Sequence, residues 1–171
     1  MDLEQSILAE HSKAQCMRIT AYIGNDRERF ARLMKLFLKG EYRVTQRAAW
    51  PLSCCVEAYP VLIKPWYAQL LRKLQEPGTH NAVTRNIVRT LQYVTIPEKY
   101  QGTVMNICFD FIADPNAAAA VKAFSLSILQ NLVKDYPEIA PELITIIENR
   151  WDQETPAFQS RARKLLKSLK K

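Results

Sequence analysis

The sequence predicts an all-α fold, a solenoid-like superhelix of four stacked helical hairpins with a capping helix at the N-terminus. Three observations carry that prediction. Residues 44–60 (VTQRAAWPLSCCVEAYP) return 77 residues later as 121–137 (VKAFSLSILQNLVKDYP), sharing Val44/Val121, Leu52/Leu129, Val56/Val133, Tyr59/Tyr136 and Pro60/Pro137 without a gap. Between them, residues 83–97 (VTRNIVRTLQYVTIP) repeat the Val-Thr start and place Leu91 at the Leu52 position, which sets a period near 38. A period of that length belongs to helical hairpins that bury their apolar faces only by stacking on neighbours. Finally, apolar residues recur with helical spacing along the whole chain, and no segment alternates as a strand does.

The helix starts are read from caps, because an Asp or Thr side chain accepts from the free N–H groups of a first turn and a Pro at the first position loses no needed bond. Asp2 with Gln5 three residues on reads as a capping box for a first helix over 3–22, ended by Gly24. Asp26 opens a second helix that stops before Gly40. Further helices are expected at 43–59, 61–75, 79–94, 97–112, 116–135, 138–150 and 156–170, with Asp114-Pro115, Pro137 and Thr155-Pro156 as starts. The turns between them are short, so consecutive helices pair side by side as 26–59, 61–94, 97–135 and 138–170. Pro51 falls inside one helix, where it removes the bond to residue 47 and is expected to kink it. A chain of 171 residues with 48% apolar residues and four glycines is one foldable domain, 1–171, that needs no metal or disulfide staple.

Several of these residues resemble HEAT repeats. The run Asp135-Tyr136-Pro137-Glu138-Ile139 to Ile147 looks like the first helix of such a unit, and Asp114-Pro115 followed by Val121-Lys122 looks like the turn and the second-helix start. The resemblance covers about 26–170, leaves the first helix outside as a cap, and extends to a group of small bacterial HEAT-like proteins. It implies a protein-binding scaffold and, second, a nucleic-acid binder of the kind seen in HEAT-like DNA alkylation-repair glycosylases. Thr45 and Thr84 stand where a HEAT unit carries a basic residue after the Val, so the ladder of ion pairs between units is interrupted here. The loop SSxMPxKxN of adenylosuccinate lyases, a label carried by some of those small proteins, does not occur in the chain.

Chemistry is sparse. His11 and His80 are the only histidines, and neither has a carboxylate or thiol at metal-ligand spacing, so surface or capping roles are expected and no metal is. Gly24, Gly40, Gly78 and Gly102 are isolated, which excludes a phosphate-cradling loop. Asp152 and Glu154 lie in a connection, where water is expected to leave their acidities ordinary. Cys16, Cys54, Cys55 and Cys108 lack CxxC spacing and read as reduced, mostly buried thiols. No cofactor, no catalytic group and no membrane span are expected, and the polar N-terminus makes the cytoplasm the expected compartment.

The net charge of +7 is concentrated. Residues 26–47 hold seven Lys and Arg against Asp26, Glu28 and Glu41, and residues 150–171 hold seven against Asp152 and Glu154. Placed in the first and last repeats, these segments put basic surfaces at the two ends of the stack. In the last helix Phe158, Ala162, Leu165, Leu166 and Leu169 share one face, opposite Arg163, Lys164, Lys167, Lys170 and Lys171. Arg29, Arg32, Lys35 and Lys39 form a stripe that Arg43 and Arg47 continue onto the next helix, and Arg85 and Arg89, with Lys122, are the central cations. Trp50 and Trp66, with Tyr67, lie on adjacent helices and are candidates for lining a groove. The reading is a non-enzymatic scaffold for a protein or peptide partner; the alternative is nucleic-acid binding. Its candidate contacts are Arg29, Arg32, Lys35, Arg43, Arg47, Trp50, Trp66, Arg85 and Arg89.

Overall fold

The computed structural model of the chain describes residues 1–169. Among these residues there are ten α-helices, three short 3-10 segments and no strand. The helices are α1 (Leu3–Ala9), α2 (Lys13–Ile23), α3 (Arg27–Lys39), α4 (Tyr42–Ala58), α5 (Tyr67–Gln75), α6 (Asn81–Leu91), α7 (Glu98–Ala113), α8 (Ala119–Leu132), α9 (Ala140–Arg150) and α10 (Pro156–Leu169). They form two compact units, Met1–Val94 with α1 to α6 and a second from Thr95 on with α7 to α10. The border falls between the second and third hairpins of the repeat.

In the first unit α3 packs on α4, α5 on α6, and α4 on both α2 and α6. Its core is made by Phe30, Leu33, Met34 and Phe37 of α3 against Val44, Ala48, Leu52 and Val56 of α4, with Leu70, Val83, Ile87 and Leu91 beyond. In the second unit α8 packs on α7 and α10, burying Val121, Leu129 and Leu132 against Val104, Ile112, Phe158, Ala162 and Leu165. The residues shared by the two sequence copies are therefore core positions, apart from the Tyr-Pro pair. That pair sets the junction: Tyr59 (φ −136°, ψ 75°) and Tyr136 (φ −128°, ψ 68°) hold nearly one conformation, and a 3-10 segment starts at each following Pro.

Several helix limits differ from the sequence expectation, each for a local reason. The first helix is two helices, because Ser12 Oγ accepts from the Gln15 N–H (3.1 Å) and starts α2 afresh after an extended Glu10. Gln15 Nε2 then donates to the Ser6 carbonyl (2.7 Å), meeting one of the acceptors left open at the end of α1. Asp2 caps α1 as expected, accepting from the Gln5 N–H (3.0 Å), and Asp26 caps α3 through the N–H groups of Glu28 and Arg29. Asp114 starts no helix. It closes α7, and its carboxylate accepts from the Asn116 N–H (2.8 Å), so a turn intervenes and α8 begins at Ala119. The expected helix over 61–75 opens as a 3-10 segment, Pro60–Trp66, in which Pro65 has no N–H to give, and becomes α-helical only at Tyr67. The next segment begins as the 3-10 turn Pro137–Ile139 before α9, and the helix expected over 79–94 is shorter at both ends. By contrast α4 continues through Pro51, which is buried. The last helix begins at Pro156 with Thr155 Oγ1 accepting from the Phe158 N–H (3.4 Å), and it buries Phe158, Ala162 and Leu165 while exposing Arg163, Lys164 and Lys167. Lys170 and Lys171 lie outside the described residues.

Hydrogen bonds and close contacts 37 to 39 residues apart mark the repeat register. Arg47 donates to the Leu8 carbonyl (2.7 Å), the Cys16 and Cys54 sulfurs lie 3.8 Å apart, Gln130 donates to Ser168 (3.3 Å) and Arg150 to the Ala113 carbonyl (3.2 Å). Two of these contacts tie α1 and α2 to α4, so the N-terminal segment meets the first hairpin at the spacing used between repeats.

Candidate binding groove

The cations of α3 do not act as one stripe. Arg29 is spent internally: its guanidinium donates to the Tyr22 carbonyl (2.6 Å), lies 4.4 Å from the Tyr22 ring centre and reaches Asp26 (3.4 Å). Asp26 in turn is held below the usual carboxylate range, chiefly by the Arg29 N–H that it caps. Arg32 and Lys35, one and two turns on, are exposed and make no hydrogen bond or ion pair among the described residues.

They border a groove of about 650 Å³ between the start of α1 and the outer face of α3. Met1, Leu3 and Leu36 give it an apolar floor, Arg32, Lys35 and Lys39 a bank of cations, and Asp2, Glu4 and Glu41 a facing set of acids. The groove exists because Asp2 starts α1 where Leu3 can bury against the first unit, which lays the N-terminal turn beside α3. Gly40 closes it: a Cβ there would run into the Leu36 carbonyl and press on Val44, so only glycine lets α4 leave α3 this tightly.

The remaining candidates sit elsewhere in the first unit. Arg43 is exposed near the start of α4. Arg47 is half-buried and committed to the Leu8 carbonyl, in a narrow cleft with Trp50, whose ring meets His11 edge-on at 5.8 Å. Trp66 is half-buried where the 3-10 segment ends, and Tyr67 beside it is 1% exposed, a core residue whose burial pushes its phenol up to about 12. Arg85 is exposed and Arg89 half-buried on α6. The structure thus joins Arg32 and Lys35 in one groove and Arg47 and Trp50 in another cleft. A smaller hollow of about 370 Å³ separates α4 from the α5–α6 turn, with Tyr42 against His80 (4.5 Å between ring centres). His80 is the capping residue of α6, its Nδ1 accepting from the Ala82 N–H (3.0 Å).

In the second unit the connection after α9 exposes Asp152 as expected, but Glu154 is withdrawn from solvent. The Glu154 side chain is 3% exposed, and its Oε1 receives Lys122 Nζ, Arg150 Nε and Arg150 Nη2, each at 2.7 Å. Lys122 is 2% exposed and therefore unavailable to a ligand. Sequence reasoning missed this cluster, although the basic residue after Val121 was noted, because its acid lies 32 residues later in a connection. Lys39 and the acids of the groove were also missed as site residues, since only packing of α1 on α3 brings them together.

Among the described residues no group of three or more His, Cys, Asp or Glu side chains is placed to hold a metal ion, and no helix is long and apolar enough to cross a membrane.

The class defined by paired helices repeating at about 38 residues is a helical-repeat protein. The family model of the HEAT repeat domain matches residues 3–169, and the chain belongs to that family. The match takes in α1 and α2, which the sequence reading left outside the repeats. No match was found among curated proteins or among solved structures.

Proposed function

We propose that the chain is a non-enzymatic scaffold that holds a protein or peptide partner in the groove between α1 and α3. The observation that carries this reading is the groove itself, with an apolar floor beside two cations, Arg32 and Lys35, that make no hydrogen bond or ion pair among the described residues. Helical repeats supply extended surfaces of this kind, and an apolar anchor flanked by acids on the α3 side and by basic residues toward Asp2, Glu4 and Glu41 is the peptide chemistry the lining fits. A nucleic-acid ligand asks for many free cations along one channel, since its affinity grows with the number of counterions displaced. Arg29, Arg47 and Lys122 are bound internally, which weighs toward the protein partner.

The test is recovery of a partner from lysate on the intact protein, compared with an Arg32→Glu/Lys35→Glu variant of unchanged helicity. The expected outcome is a partner held by the wild type and lost from the variant. Equal recovery by both, or none by either, counts against the proposal. A titration with duplex and single-stranded DNA completes the comparison: affinity falling steeply with salt would favour the nucleic-acid reading instead.

A further inference from the structure

Cys16 on α2 and Cys54 on α4 bring their sulfurs to 3.8 Å across a helix pair, and both are free thiols. Cys16 is 4% exposed, whereas Cys54 is only half-buried. The two residues are 38 apart, one repeat period, so they stand at matching places on stacked helices. Cys55, the next residue, is 0% exposed and meets the Thr20 side chain of α2.

We propose that Cys16 and Cys54 form a reversible disulfide that pins the α1–α2 pair to α4. Closing the remaining gap of under about 2 Å asks for rotation of the two side chains within a packed helix pair. The order of events follows from access. Cys54, as the thiolate, attacks one sulfur of a small disulfide such as oxidised glutathione, forming a mixed disulfide and releasing one glutathione thiol. Cys16 then attacks the Cys54 sulfur, expels the second glutathione and completes the cross-link. Two protein thiols are oxidised, one small disulfide is reduced to two thiols, and the two protein protons end on them. Burial, and then the Cys54 sulfur beside it, push the Cys16 thiol up to about 12, which disfavours it as the first nucleophile. Cys16 is thereby the resolving partner and Cys54 the entry point.

The experiment equilibrates the whole protein in glutathione buffers of rising oxidised fraction, quenches with acid and alkylating agent, and maps tryptic peptides. Peptides 14–18 and 48–72 hold the three sulfurs concerned, and fragmentation between residues 54 and 55 tells which one is bonded. The expected result is a 14–18/48–72 link through Cys54 that reductant reverses, with a melting temperature higher by on the order of 10 °C. A Cys54→Ala variant is expected to lose both the link and the shift. The proposal fails if only a Cys54–glutathione adduct accumulates, if the link runs through Cys55, if the bond joins Cys54 to Cys55, or if all thiols stay reduced.

Discussion

At the scale of single residues, Glu154 is the most consequential side chain in the second unit. Its carboxylate pairs with two cations, and removing it leaves Lys122 buried with no counter-charge. We expect Glu154→Ala to destabilise by about 3–5 kcal/mol, measured by urea unfolding, with Lys122→Met added in the same chain recovering much of the loss. Gly40 is the corresponding position in the first unit. Its φ of −68° is ordinary, so the constraint is contact with the Leu36 carbonyl and Val44, and Gly40→Ala is expected to cost about 1–3 kcal/mol. Neither role was legible beforehand. Glu154 read as a loop acid because Lys122, the buried cation it meets, lies on α8, 32 residues away in sequence, and Gly40 read only as a helix stop.

At the scale of elements, most of the helices were legible, because caps and apolar spacing are local signals. Asp2, Asp26 and Thr155 cap as their positions imply, and the Tyr-Pro repeat yields the same junction twice. The departures arose where two local signals competed. Ser12 outweighed continuous helical spacing over 3–22, and the Asp114 side chain closed a turn before it could open a helix. Ser12→Ala is therefore expected to lower stability by about 1 kcal/mol and to raise amide exchange in the first turn of α2, where an unbroken helix would show no change. The groove was half legible: its cations came from the α3 pattern, but its floor and acids depend on how α1 lies against α3, which no periodicity reports.

At the scale of the whole molecule, pH links the buried thiols to stability. Burial pushes Cys16, Cys55 and Cys108 up to about 12 from 9.0, and Tyr67 up to about 12 from 10.0. The neutral forms are favoured by folding, so this contribution is complete below the unfolded values and is lost as pH rises from about 9 through 12. Urea midpoints should fall across that window, and Cys108→Ala should make the alkaline decline shallower even if it lowers the midpoint at neutral pH. Native thiol titration is expected to label Cys54 first and Cys108 last, an order that unfolding should abolish. The contacts spaced 37 to 39 residues apart have a further implication for how such a chain can change length. Adding or removing a whole hairpin presents each neighbour with the same set of partners, whereas inserting one residue within a helix rotates every side chain beyond it by about 100° out of register. Within the helices, gain and loss of length are thereby confined to complete repeats, and changes of one or a few residues are left to the turns.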